Sequence, residues 1–379
     1  MNRELTPQQQ ESQADFRAFV QAEIQPDADR ADREERTSAQ TIGRLAARGY
    51  LGALIPRAYG GCEMDSITFG LLNEALGRGC SSLRSLLTVQ SMVAAAILRW
   101  GSSEQKRRWL PGLASGQTIA AFALSEPEVG SDARSITTTA QPVEQGYRLR
   151  GHKKWMTYGQ IAHLFLVFAR SGPGVSAFLV ERETPGFQVT PLFGLLGTRA
   201  SMVAELILED CLVPAENALG GRGFGLASIA SSALDTGRYS VAWGSVGIIR
   251  ACLEDSLRYS SERRQFGVPL RQHQLIQRML SEMITGLCAA RLLCLQAGAA
   301  KEQGDPATVM QTWIAKYFAS VRAVQAANDA VQIHGANGCS SEYSVQRYLR
   351  DARIMEIIEG STQIQQITIA DAGYQSLTF

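Results

Sequence analysis

The sequence predicts a mainly α-helical protein with a β middle domain. It divides into an α-helical N-terminal domain over 1–117, a β-barrel or sandwich over 118–220 and a C-terminal four-helix bundle over 221–379. Three observations predict this division. Apolar residues recur at helical spacing up to about residue 117, short alternating runs separated by turn signals follow, and helical periodicity then returns in longer pieces.

In the first segment, Phe16, Phe19, Val20 and Ile24 share one helical face. Ile67, Leu71, Leu72, Ala75 and Leu76 share a second, and Leu86, Val89, Val93, Ile97 and Trp100 a third. Ser102 followed by Gln105 reads as a capping box opening a further helix. Pro56, Gly60 and Gly61 interrupt the helices and keep the domain compact.

The middle segment carries apolar runs at Ile119–Leu124, Tyr147–Arg150, Leu164–Ala169, Ala177–Val180 and Ala204–Leu208. Glu144-Gln145-Gly146, Ser171-Gly172-Pro173-Gly174 and Thr184-Pro185-Gly186 separate them as turns. No long helical pattern intervenes, which favours an antiparallel barrel or sandwich over a parallel βαβ sheet. After Gly220, helices are expected at about 223–262, 272–303, 306–334 and 342–350, with a last one from about 362. Asp305-Pro306 looks like an N-cap followed by Pro at the first helical position.

The composition limits the function classes. With 37 basic and 36 acidic side chains the net charge is +1, so no basic stripe marks a nucleic-acid surface. Seven scattered cysteines fit neither a disulfide framework nor a zinc ribbon, and the four histidines form no metal-binding pair. The N-terminal residues lack a signal-peptide core and no run approaches a membrane span, so a cytoplasmic protein with reduced thiols is expected.

Four segments can carry chemistry. In Ala121-Phe-Ala-Leu-Ser-Glu-Pro-Glu-Val-Gly-Ser-Asp132, a strand ends near Ser125 and Gly130-Ser131 forms a turn able to hold a phosphate oxygen; an ordinary polar turn is the alternative. In Gly151-His-Lys-Lys-Trp-Met-Thr157, strand alternation would put Trp155 and Thr157 on one face, an aromatic wall with a hydroxyl suited to a flat ring. Ser261-Glu-Arg-Arg-Gln-Phe-Gly267, before His273-Gln274, reads as a helix C-terminus with a glycine stop, which leaves Phe266 unexplained. The fourth runs from Gln332-Ile-His-Gly-Ala-Asn-Gly338 to Ile358-Glu-Gly-Ser-Thr-Gln-Ile-Gln365. There Glu359, among Ile354, Met355, Ile357 and Ile358, is either a desolvated base or a helix-end cap. Gly220-Gly-Arg-Gly-Phe-Gly225 imitates a dinucleotide loop, but Leu226 stands where the last glycine belongs and no βαβ unit surrounds it.

In this order and spacing, from about residue 7 to 372, these segments resemble the acyl-CoA dehydrogenase family. Ala204-Glu-Leu-Ile-Leu-Glu-Asp-Cys-Leu-Val-Pro214 and Asp235-Thr-Gly-Arg238 add to the likeness. The resemblance implies the three-domain fold, bound FAD and a homodimer or homotetramer. It places Phe122, Leu124 and Ser125 against the flavin, Gly130 and Ser131 near the cofactor phosphates, and Trp155 and Thr157 at the ring. Arg263, Phe266, Gln274, Gln332 and Gly335 match cofactor positions, most of them completing the site of a neighbouring subunit, and Ser361 and Gln363 close over the adenine side. Ser131, Asp235, Arg238 and Gly360 fall on the substrate side, near the thioester and its carrier arm.

The resemblance makes Glu359 the base that removes the thioester α-proton while the β-hydride passes to the flavin. Some relatives carry the base on the helix of Asp235; Gly237 stands at that position here. Ile358, Tyr158 and Ala336 depart from the usual pattern, the first two being expected to alter the acyl pocket. Ser82-Leu-Arg-Ser-Leu-Leu-Thr-Val-Gln-Ser-Met92 looks most like the branch of polyketide and nonribosomal peptide pathways. Its members oxidise short polar acyl groups on an acyl carrier protein, including hydroxymalonyl and methoxymalonyl extender-unit precursors. The alternatives are acyl-CoA dehydrogenation in short- or branched-chain catabolism, an oxidase or monooxygenase of the same fold, and an inactive assembly partner. Lys106-Arg107-Arg108 is either a docking patch for an acidic carrier protein or a solvated helix face.

Overall fold

The computed structural model describes residues 4–375. The N-terminal helices are α1 (Pro7–Phe19), α2 (Gln25–Glu34), α3 (Ala39–Ala47), α4 (Ser66–Gly79), α5 (Ser81–Trp100) and α6 (Ser103–Ser115). Both arms of the Ser102–Gln105 capping box form, at 3.1 and 2.9 Å. α5 is long and apolar, and 16 of its 20 residues are buried, which makes it the central helix against which the other layers pack.

The middle layer holds β1 (Ala120–Ala123), β2 (Thr139–Val143), β3 (Gly146–Met156), β4 (Leu164–Ser171), β5 (Gly174–Glu181), β6 (Phe187–Pro191), β7 (Ala204–Pro214) and β8 (Ala218–Leu219). They form one sheet in the order β6-β7-β3-β2-β4-β5-β8, with β1 paired to β4. Most pairs are antiparallel, as expected; β1 runs parallel to β4 in the register Phe122↔Leu166, and β2 meets β4 in parallel at Thr139↔Arg170. Alternation along β1 sends Ala121 and Ala123 into the strand core and Phe122 and Leu124 toward α5.

The C-terminal layer comprises α7 (Ser231–Glu262), the hairpin β9 (Arg264–Gln265) and β10 (Val268–Pro269), α8 (Gln274–Glu302), α9 (Thr308–His334), α10 (Val345–Met355) and α11 (Thr362–Gln375). The helix expected from Pro306 starts at Thr308 instead. Asp305 caps the preceding turn, its carboxylate accepting from the Ala307 N–H at 2.8 Å. α4, α5, α7, α9 and α10 share one apolar core that includes Leu83, Trp243, Ala319 and Met355.

Candidate active site

At the end of β1 the chain turns under tight control. Lys153, buried in β3, donates to the Leu124 carbonyl at 3.0 Å and to Glu126 at 2.8 Å. Glu126 also accepts from the N–H and hydroxyl groups of Thr137 and Thr138, at 2.6–3.0 Å. Burial alone would raise its carboxyl, but these donors outweigh that and hold it at about 2. Burial brings the Lys153 ammonium down to about 8 against the pull of Glu126.

The fixed pair ties Ser125 to β3, because the Lys154 N–H donates to the Ser125 carbonyl at 3.0 Å. The following turn closes on itself through Glu126 and Val129. Gly130 and Ser131 are exposed at its tip, where a β-carbon on Gly130 would meet nothing within 4 Å.

Trp155 stands beside this turn, half-exposed at 52%. Its placement corrects the alternation argument. β3 carries a bulge between Lys153 and Met156, Trp155 has φ 73°, and Thr157 lies just past the strand end. A bulge, not the pleat, aims the indole outward. The residues fit a flavin dinucleotide: an open aromatic wall, the hydroxyls of Ser125, Ser131 and Thr157, and a turn whose backbone faces open space. Bound FAD supplies a hydride acceptor at such a site.

Glu359 sits in the loop between α10 and α11 with φ 55°, followed by Gly360 at φ 88°. It is therefore neither a helix end nor a cap. Two consecutive left-handed residues turn both carbonyls inward. Arg238 Nε and Gln365 Nε2 each donate to the Glu359 carbonyl at 3.1 Å, and Lys316 Nζ donates to the Gly360 carbonyl at 2.8 Å. The carboxylate points the other way, toward α5 and α7, and its Oε2 has no hydrogen-bond partner among the described residues.

A β-carbon on Gly237 would overlap Oε2 and lie 2.6 Å from Cδ of Glu359 and 2.9 Å from Met92 Sδ. The missing side chain of Gly237 is thus the space the Glu359 carboxylate occupies. Gly237 and Met92 wall the carboxylate; of the apolar residues flanking it in sequence, Met355 is buried, Ile354 and Ile358 pack on the core and Ile357 is half-exposed. Burial raises the Glu359 carboxyl to about 7, with Arg238, Lys316 and Arg84 pulling down. Such a carboxylate exchanges protons near neutral pH, as α-proton removal requires.

Next to Glu359, α5 and α7 face each other, small residues of α7 meeting larger ones of α5. Gly237 meets Met92, the Ser240 hydroxyl meets that of Thr88 at 2.6 Å, and Gly244 meets Arg84. The Thr88–Ser240 contact lies about one helical turn along α7 from Gly237, and Gly244 with Arg84 about 10 Å along it, from seven residues of helical rise. Arg84 is fully buried, donates to Thr88 at 2.7 Å and to Met355 sulfur at 3.4 Å, and leaves Nε unpartnered. No carboxylate pairs with it among the described residues. Burial lowers its guanidinium to about 10, and Glu359 and Asp351 oppose this.

Several expected residues lie elsewhere. Arg263 ends α7 and shares a cavity of about 320 Å³ with Tyr259, His334, Asn337 and Tyr343, next to exposed Gln332 and Gly335. The glycine-stop reading of 261–267 is corrected: Phe266 (φ 52°) and Gly267 (φ 80°) form the turn of the β9–β10 hairpin, with Phe266 95% exposed at its tip. Exposed Gln274 opens α8 beside it. Among the described residues no hydrogen bond or ring contact joins this surface to the Ser125–Trp155 cluster.

Asp235 is ion-paired with Lys301 and leaves Oδ1 unpartnered. Arg238 lies over Trp313 at 4.1 Å. Ser361 accepts from the Ile364 N–H at 3.4 Å at the start of α11, and Gln363 is exposed.

Tyr158, expected to alter the acyl pocket, is fully buried. Its hydroxyl bonds to Thr37 at 2.9 Å and to the Ser82 carbonyl at 3.1 Å, so it braces the start of α5 rather than lining an open pocket. In the Lys106–Arg108 run, Arg107 pairs with Glu104 and Arg108 with Glu181. Two of its three charges are thereby neutralised.

Residue-type reasoning passed over Arg84, Thr88, Lys316 and Gln365. The available signal was a charged residue in an otherwise apolar or small helical face: Arg84 among Leu83, Leu86 and Leu87, and Lys316 among Ala315, Ala319 and Ser320.

Family models for the acyl-CoA dehydrogenase N-terminal, middle and C-terminal domains match residues 6–117, 121–211 and 221–374. The chain is 38% identical over 377 residues to the probable acyl-CoA dehydrogenase YngJ of Bacillus subtilis (strain 168), covering 98% of this chain and 99% of that one. It is also 38% identical over 360 residues to the mitochondrial short-chain specific acyl-CoA dehydrogenase of Rattus norvegicus, covering 93% and 87%.

Three solved structures share the fold. A glutaryl-coenzyme A dehydrogenase with glutaryl-CoA superposes with TM-score 0.94 and 34% identity, covering 99% and 97% of the two chains. The prolyl acyl carrier protein oxidase AnaB gives 0.91 and 32%, covering 97% and 99%. FkbI, for biosynthesis of a methoxymalonyl extender unit, gives 0.86 and 32%, covering 96% and 99%. With models matching all three layers and a buried carboxylate, its glycine niche and the flavin-compatible wall in one chain, the protein belongs to the acyl-CoA dehydrogenase family of FAD-dependent oxidoreductases.

Proposed function

We propose that the protein dehydrogenates a short, polar acyl thioester held on an acyl carrier protein, of the hydroxymalonyl or methoxymalonyl extender-unit type. Glu359 removes the α-proton. The single observation that carries the substrate reading is the polar seam between α5 and α7 next to Glu359. The Thr88–Ser240 contact bridges the two helices about one helical turn from Gly237, which favours a short acyl group over a long aliphatic chain. This seam presents two hydroxyls backed by the buried Arg84 guanidinium, which favours an oxygen-bearing acyl group because an unmatched buried cation is costly.

The Glu359 N–H donates to no protein acceptor among the described residues and is available to the thioester oxygen, where negative charge develops. The likenesses to AnaB and FkbI support a carrier-protein thioester. Likeness to a short-chain acyl-CoA dehydrogenase supports a second reading, a short acyl-CoA substrate in catabolism.

A homo-oligomer in the cytoplasm belongs to the same proposal. Among the described residues, Arg263, Phe266, Gln332 and Gly335 make no hydrogen bond or ring contact with their own Ser125–Trp155 cluster, which supports a role in completing the cofactor site of a neighbouring copy. The test presents matched acyl-CoA and acyl-carrier-protein thioesters anaerobically to the FAD-loaded enzyme and follows flavin absorbance. Bleaching by carrier-protein thioesters of polar acyl groups is expected. Bleaching by CoA esters alone would remove the carrier protein from the proposal, and preference for butyryl over polar groups would remove the polar substrate.

A further inference from the structure

Lys316 is the one charged residue on the buried face of α9, where Thr312, Ala315, Ala319, Ser320 and Ala323 surround it, and it is wholly inaccessible to solvent. A buried ammonium with three donors ordinarily meets a carboxylate. This one has none within 4 Å among the described residues; its bond is to the Gly360 carbonyl, at 2.8 Å. That carbonyl belongs to the second of two left-handed residues, and the first is the base. A neutral donor would satisfy the carbonyl at a lower desolvation cost, so the charge itself requires a reason.

The charged groups around Glu359 supply one. Arg84 faces it from α5, Arg238 from α7 and Lys316 from α9, and none of the three has a carboxylate within 4 Å. Asp235 on α7 is ion-paired with Lys301, Asp351 on α10 acts on Arg84, and Glu356, which ends α10, acts on Lys316. Gln365 on α11 contributes only a neutral amide. The base therefore faces a surplus of buried positive charge, and Lys316 is the member that also holds its loop.

We propose that Lys316 is a positioning residue for the base: its ammonium anchors the Gly360 carbonyl and, as a cation without a carboxylate of its own, sets the proton affinity of Glu359. The inference rests on Glu359 being the base. Burial brings the Lys316 ammonium down to about 7, and Glu359 opposes this. Removing the charge makes Glu359 harder to ionise; removing only the hydrogen bond loosens its loop without changing its affinity for the proton.

The test compares Lys316→Met, Lys316→Gln and Lys316→Arg with wild type as FAD-loaded enzymes. Infrared titration from pH 5 to 9 follows the protonated carboxyl band that Glu359→Gln removes. It needs no thioester, so it reports on Lys316 even if the dehydrogenase reading fails. The midpoint should rise by about one pH unit in the Met and Gln variants and return toward wild type in Arg. Flavin reduction should then fall about tenfold at pH 6.5 and recover by pH 9, with KM little changed. A wild-type midpoint in either neutral variant, or a loss of rate equal at every pH, overturns the proposal.

Discussion

Gly237→Ala separates the space required by the base from the stability of the fold. The added β-carbon would lie 2.6 Å from Glu359 Cδ and 2.9 Å from Met92 Sδ, whereas real β-carbons do not approach heavy atoms closer than 3.0 Å. Restoring an ordinary contact moves the carboxyl by roughly 1 Å, and a misplacement of that size costs about 100-fold in rate.

The fold itself gains. Gly237 lies inside α7 with ordinary helical backbone, where alanine is worth about 0.5–1 kcal/mol over glycine. Both groups met by the new methyl are ends of flexible side chains and can yield. The expected variant binds FAD, melts no lower than wild type and reduces its flavin about 100-fold more slowly in anaerobic stopped flow. A rate within threefold of wild type would falsify the role given to Gly237. A rate loss matched by lost FAD and a lower melting temperature would show that the glycine serves packing instead.

Glu359→Gln should abolish flavin bleaching by substrate while FAD stays bound; undiminished reduction would sink the assignment of the base. The same variant has a pH signature in stability. Because the folded state holds this carboxyl near 7 rather than 4.5, the folded protein loses up to about 3 kcal/mol relative to its neutral isostere as pH rises through that window. Glu359→Gln should therefore melt above wild type at pH 8, with the gap closing below pH 5 in parallel calorimetric scans. Arg84→Met should lower turnover of polar acyl thioesters at least tenfold and leave or improve that of butyryl thioesters; an equal loss for both would show Arg84 to be structural. Phe266→Asp places a charge at the hairpin tip, so sedimentation should show smaller particles and dialysis should remove FAD faster. Unchanged mass and FAD retention would exclude this hairpin from the neighbouring site.

The architecture was legible because each layer has its own periodicity. The apolar faces of α1, α4 and α5 repeat at helical spacing, while Ile119–Leu124 and Ala204–Leu208 are runs too short for helices and bounded by Gly and Pro. The capping box at Ser102 was readable for a similar reason, since its two reciprocal bonds are local; the further bonds of the Gln105 amide to the Glu216 and Ala218 carbonyls were not. The β-bulge at Trp155 was not readable, because its extra residue is defined by the partner strand β7 and not by β3 itself. Glu359 could be picked out by type and context, but the reason for its desolvation could not. Its wall includes Gly237 and Met92, one noted only for what it lacks and the other 267 positions away in the chain. Arg84 and Lys316 escaped because a single charge on a helix is normally solvated; only the packing of α5, α7 and α9 shows that these two are enclosed.

The bulge in β3 has an optical consequence. Of the five tryptophans, Trp109 and Trp243 are buried and Trp100 and Trp313 are partly covered, while Trp155 alone is more than half exposed. Its emission should therefore lie at the red edge of the protein's fluorescence and be accessible to a soluble quencher such as iodide. If FAD seats against this indole, adding it to apoprotein removes that red component and its iodide sensitivity together. A chain with no introduced label thus carries its own reporter of cofactor loading.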